Sequence, residues 1–137
     1  MRILFELDGV GAKTPLTFAR VCTELLNLVV DVNRGLIRTG AVPPLYTSGV
    51  QYVEEPPDVD SFVDASTVLK RGAGDCAHLA AWRVAELLEL GEPAKVRIKW
   101  APENPRGPRA FHAEVRRADG TTEDPSKTLG MRRRYGN

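Results

Sequence analysis

Cys76, His112 and Asp124 are the residue types of a thiol-based acyl-transfer site, and they follow one another at separations of 36 and 12 residues. A thiol with an ordinary pKa near about 8.5 is only a few per cent ionised at neutral pH, so a cysteine nucleophile needs help from its surroundings. The local sequence Gly72-Ala73-Gly74-Asp75-Cys76 offers it. Two glycines permit a sharp approach to a helix, Asp75 suits the N-cap, and Cys76 falls in the first turn. Unpaired amides and the positive end of the helix dipole then favour thiolate over thiol. The same pattern also describes a buried structural cysteine at a helix start.

His112 lies on a strand over residues 110–117, on the face opposite Phe111, Ala113 and Val115. Alone it reads as a surface histidine. Asp124 closes the return strand before Pro125. Whether the two meet depends on the turn between them. A two-residue turn centred on Asp119-Gly120 pairs Ala118 with Thr121 and sends them to opposite faces. A three-residue loop Ala118-Asp119-Gly120, with Gly120 left-handed, pairs Arg117 with Thr121 and Glu114 with Asp124. His112 then sits diagonally across from Asp124 on one face, about 7–8 Å away at the backbone, a gap an imidazole and a carboxylate can close. Glycine in the third loop position selects this second register.

In such a site Cys76 attacks an acyl carbon, His112 takes and later returns its proton, and Asp124 fixes the imidazole tautomer. The Cys76 N–H supplies half of an oxyanion hole. Gln51 is the first choice for the second donor, with Tyr52 and Tyr46 as alternatives. The scheme calls for no cofactor and no metal.

The elements that must carry these residues read as helices followed by an antiparallel sheet, an α+β order. Residues 2–7 are expected as a short strand. A helical part spans 14–39, with Phe18, Val21, Cys22, Leu25, Leu28, Val29 and Val32 at three- and four-residue steps. Arg20, Glu24, Asn27, Asp31 and Arg34 fall on its other side, and Pro43-Pro44 blocks continuation. Cys22 therefore reads as a small core residue. Residues 42–60 are irregular, with only 49–53 reading as strand, and a loop this long is commonly a binding segment. Residues 61–70 suggest a short helix and 76–90 a strong one, with Leu79, Ala80, Trp82, Val84, Leu87 and Leu88 inward. In residues 94–100, Val96, Ile98 and Trp100 alternate with Lys95, Arg97 and Lys99, the pattern of a half-buried strand. Residues 110–117 and 121–124 complete a hairpin.

A chain of 137 residues is expected to form a single domain, and 42% hydrophobic with 27% charged residues is ordinary globular composition. The formal charge of +1 argues against a dedicated polyanion binder, so nucleic acid is not the expected partner. Residues 1–60 hold five basic and eight acidic side chains, whereas 61–137 hold fourteen and ten. Two cysteines cannot form a disulfide framework. Residues 1–11 do not read as a signal peptide, and no apolar run reaches the ~18 residues that span a bilayer. A soluble protein of a reducing compartment, without membrane association, is the expectation.

The blocks GAGDC (72–76), LAAWRVAELLELG (79–91), FHAEV (111–115) and DGTTEDPS (119–126), in this order, resemble the core of the transglutaminase-like cysteine hydrolases over roughly residues 46–130. The resemblance implies a papain-like core, in which the helix bearing the nucleophile packs on a small antiparallel sheet. It places the triad on Cys76, His112 and Asp124 and implies amide or peptide hydrolysis of a peptide or protein substrate rather than cross-linking. The compact build is similar to proteins encoded in bacteriophage genomes, which implies a cytoplasmic or virion-associated location. Two departures stand out. The segment between His112 and Asp124 is short and lacks aromatic residues, implying a trimmed substrate groove. His78 replaces an expected acid, implying an altered thiolate environment.

Two rivals remain at this level. Cys76, His78, His112 and Asp124 are an acceptable zinc set, although Cys-x-His in a helical first turn splays its side chains about 200° apart. The second is an interaction module, a phage virion component among the options, with a vestigial triad. Its feature is the basic tail (131–137), where Arg132, Arg133 and Arg134 read either as a solvated terminus or as a short arm that docks on an acidic protein partner or nucleic acid. Trp82 and Trp100 read as core, Lys95, Arg97 and Lys99 as a solvated strand face or an approach for an acidic substrate, and Arg106 and Arg109 as substrate-side residues.

Overall fold

The computed structural model describes residues 1–10, 14–55, 61–100 and 111–131, apart from the side chain of Trp100. It is a mixed α and β structure with a three-stranded antiparallel sheet. In chain order come α1 (Pro15–Arg38), a single 3-10 turn (Leu45–Thr47), β1 (Gln51–Tyr52), α2 (Ala65–Arg71), β2 (Ala73–Gly74) and α3 (Cys76–Glu89). β3 (Ala94–Trp100), β4 (Phe111–Arg117), β5 (Thr122–Glu123) and α4 (Pro125–Thr128) follow. The sheet order is β3-β4-β5, and β1 and β2 form a separate parallel pair that the sequence reading did not anticipate.

Helix α3 is the centre of the molecule, with ten of its fourteen residues buried. Ala77, Ala80, Ala81 and Ala85 let α1 and the sheet approach closely, and Leu26, Val30, Leu87, Val96, Ala113 and Val115 fill that layer. On the other side Leu79 and Trp82 pack with Val42, Leu45, Val50, Ala65 and Val68. Small residues on a central helix trade side-chain volume for backbone proximity, which keeps packing dense on both flanks.

Two expectations need correction. Residues 2–7 form no strand: Ile3, Leu4 and Phe5 are exposed, and a strand without a neighbour leaves its ladder groups unpaired. This arm lies beside α1 across a hollow of about 300 Å³ lined by Phe5, Leu7, Val21 and Leu25. The buried side of α1 is Cys22, Leu26, Val30 and Asn33, while Leu28 and Val32 are exposed. The helix is apolar on more than one side, so periodicity alone does not choose its inner face. Asn33 earns burial by accepting the Ala65 N–H at 2.8 Å. Among the described residues, no helix is long and apolar enough to cross a membrane.

Candidate functional site

Cys76 is the first residue of α3, held there by a local device. Asp75 is the N-cap and accepts the His78 N–H at 3.1 Å, while His78 Nδ1 accepts the Asp75 N–H at 3.2 Å, a reciprocal capping box. Gly74 sits in tight space: a Cβ there would lie 3.1 Å from Val68 Cγ1 and 3.2 Å from His78 Cβ, so these neighbours would have to give by a few tenths of an ångström. Gly72, at φ 70°, ends α2 in the left-handed region.

The hairpin adopts the register set by the three-residue loop, with Val115 opposite Glu123 and Arg116 opposite Thr122. Gly120 is left-handed at φ 84°. This register brings His112 and Asp124 together, and His112 Nε2 lies 2.7 Å from Asp124 Oδ2. With Nε2–H donated to the carboxylate, Nδ1 is the nitrogen left to act as a base. Asp124 Oδ1 faces the Lys127 N–H at 3.4 Å, so one side chain caps α4 and orients the imidazole. Burial opposes ionisation of Asp124, but the His112 hydrogen bond and charge, with help from Lys127, hold it below its ordinary value.

The sulfur joins this pair at a strand edge. Arg117 donates its N–H to Thr121 at 2.9 Å, so alternate residues Val115 and Ala113 turn their N–H groups the same way. β5 ends at Glu123, and the Ala113 N–H beyond that last rung reaches the Cys76 sulfur. The residue after His112 thus holds the thiol, and Asp124 is close enough to act on it electrostatically.

The thiol environment departs from expectation. Burial, then the negative charge of Asp75, pushes Cys76 up to about 12, with Asp124 adding to the rise. The Ala113 and Ala77 N–H groups work against this without reversing it. Burial and the neighbouring carboxylates thus oppose the thiolate that the helix start was expected to favour. Resting Cys76 is a protonated thiol.

The remaining candidates divide. Gln51 is exposed on β1 opposite Ala73, with Oε1 3.7 Å from the Cβ position of Gly130. Tyr46 gives its hydroxyl to the Glu123 carboxylate. Among the described residues no hydrogen bond joins Gln51 or Tyr46 to Cys76. His78 belongs to structure: Nε2 bonds the Ser61 carbonyl at 2.7 Å, tying the approach to α2 onto the start of α3. Both its ring nitrogens are engaged, which takes it out of the zinc set. Trp82 is buried and Cys22 is buried outside any disulfide. Arg106, Arg109 and the Arg132–Arg134 tail lie outside the described residues.

Sequence reasoning missed Glu114 and Arg83. Glu114 is buried, and its carboxylate lies within 4.8 Å of ligand atoms of His112 and Asp124. Strand alternation from His112 already places it on that face. The set could hold a metal by donor type, but the His112–Asp124 bond and a Lys99–Glu114 pair at 3.0 Å balance its charges from within the chain. Arg83, two turns along α3 from Cys76, reaches Glu123 at 2.6 Å and Glu86 at 3.0 Å. Arg117 joins Glu123 at 3.1 Å. The neighbour of Asp124 is thereby fastened to the helix that carries Cys76. Compared with known proteins, the chain matches no family model, no curated protein and no solved structure.

Proposed function

We propose that the chain is a cysteine-dependent amide or peptide hydrolase working through an acyl-enzyme, of the transglutaminase-like, papain-like type its sequence resembles. One observation carries the reading: the His112–Asp124 pair, 2.7 Å apart, adjoins the strand edge whose Ala113 N–H holds the Cys76 sulfur. Because the thiol rests protonated, His112 Nδ1 removes its proton as sulfur attacks the carbonyl carbon. The imidazolium so formed is steadied by Asp124. The tetrahedral oxyanion meets the Cys76 N–H, which as the first helical residue has no partner within α3. Gln51 is the proposed second donor. His112 returns the proton to the departing amine, then draws a proton from water, which attacks the thioester and releases the acid and the restored thiol.

The test is acylation by an activated aryl ester, followed by peptide mass spectrometry. Cys76 acquires the acyl group and Cys22 does not, and His112→Ala slows the reaction by about 100-fold or more. Equal labelling of both cysteines, or indifference to His112, would remove the reading. Replacing Cys76 with Ala should abolish turnover and preserve the fold.

A second reading rests on the thiol itself. A half-buried sulfhydryl pushed up to about 12 suits a structural or interaction module, such as a phage virion component, in which the triad is vestigial. Such a module captures its acidic partner equally with Cys76→Ala and loses it when residues 132–134 are replaced.

A further inference from the structure

The sheet face that carries His112 and Glu114 is built mainly from cations. Directly opposed residues on neighbouring strands share a face. The register sets Lys95 against Arg116, Arg97 against Glu114 and Lys99 against His112. All four cations are exposed, whereas Val96, Ala113 and Val115 on the other face are buried. Lys99 pairs with Glu114. Among the described residues, no carboxylate forms an ion pair with Lys95, Arg97 or Arg116.

Like charges directly opposed across a sheet are destabilising, so Lys95 against Arg116 is unfavourable unless an anion lies over them. Lysines on the outer strand β3 could serve only to discourage edge pairing. Arg116 stands on the inner strand β4, where that purpose does not apply. Alternate residues of β3 recur about every 7 Å, the repeat at which an extended peptide shows side chains on one side.

We propose that this face docks an acidic, extended stretch of the polypeptide substrate, with Lys95, Arg97 and Arg116 meeting its carboxylates and Lys99 marking the end beside His112. The proposal rests on the hydrolase reading and adds a substrate class to it. A single-stranded nucleic acid fits less well. Among the described residues this face has no exposed aromatic ring on which bases could stack.

The test is fluorescence anisotropy with the full chain carrying Cys76→Ala, which prevents turnover. The probes are a labelled peptide of alternating glutamate and glycine, its lysine counterpart, and an oligothymidylate. The glutamate peptide binds, added salt weakens it, the lysine peptide fails, and a K95Q/R97Q/R116Q variant loses about tenfold or more in affinity. Equal affinity of the glutamate peptide for parent and variant overturns the proposal, as does tighter binding of the oligothymidylate. The two readings fail separately. Charge-dependent docking combined with ester acylation indifferent to His112 removes the hydrolase and keeps the platform. His112-dependent acylation combined with charge-blind docking does the reverse.

Discussion

The Cys76 thiol should add its own share to the alkaline destabilisation of this protein, and the size of that share follows from where Cys76 sits. Burial, then the charge of Asp75, pushes the folded-state thiol up to about 12 from an ordinary value of 9.0. Between those values the folded chain keeps a proton that the unfolded chain has released. Unfolding free energy therefore falls as pH rises, by up to about 1.4 kcal/mol per pH unit. From pH 8 to pH 11 the loss is about 2–3 kcal/mol, and below pH 8 it vanishes because both states hold the proton. The assay is urea unfolding under a reductant at pH 8, 9.5 and 11, followed by fluorescence of the buried Trp82. Cys76→Ala is the comparison, since the tyrosines, lysines and Cys22 contribute to both chains and cancel. The gap between the two stability curves should close or reverse by that amount at high pH. Parallel curves would refute the claim that the fold holds this sulfur as a thiol.

Three further outcomes follow from the geometry. Asp124→Asn should flatten the acid limb of the stability curve. The Asp124 carboxylate is held below its ordinary value, so its contribution is present above about pH 4 and lost as pH falls through the lowered folded value; identical acid limbs for parent and variant would count against it. Gly74→Ala should cost about 1–3 kcal/mol in chemical denaturation, because the new Cβ presses on Val68 and the His78 Cβ within a capped turn; a neutral result would mean that turn is loose. Glu123→Ala should cost about 2–3 kcal/mol, since it strips a partly buried partner from Arg83, Arg117 and the Tyr46 hydroxyl. Its ¹⁵N spectrum should also shift at His112 and Asp124, and a change confined to Arg83 would deny the link to the candidate site.

The parts of this molecule written in local chemistry were readable in advance. Asp75 before Cys76, Gly72 after a short helix and Gly120 in the turn each act over a few residues, and α3, β4 and the pairing of His112 with Asp124 follow from them. The inner face of α1 was not readable, because Leu28 and Val32 are as apolar as Leu26 and Val30 and only the neighbours choose between them. The state of the thiol was misjudged for a related reason. The helix start is visible in the sequence, but the burial that raises the thiol comes from tertiary packing, which local sequence does not show. His78 misled by proximity: two residues from Cys76 along the chain, it turns away to the Ser61 carbonyl.

The three-residue loop at Gly120 makes the proposed chemistry depend on arithmetic in the gene. Losing one codon between His112 and Arg117, with the loop retained, would leave Cys76, His112 and Asp124 all encoded, yet it would turn the imidazole to the far side of the ribbon from the aspartate. Restoring function would then require a compensating insertion rather than any change of side chain. In this hairpin, reading-frame-preserving indels are a more abrupt off-switch than most missense changes.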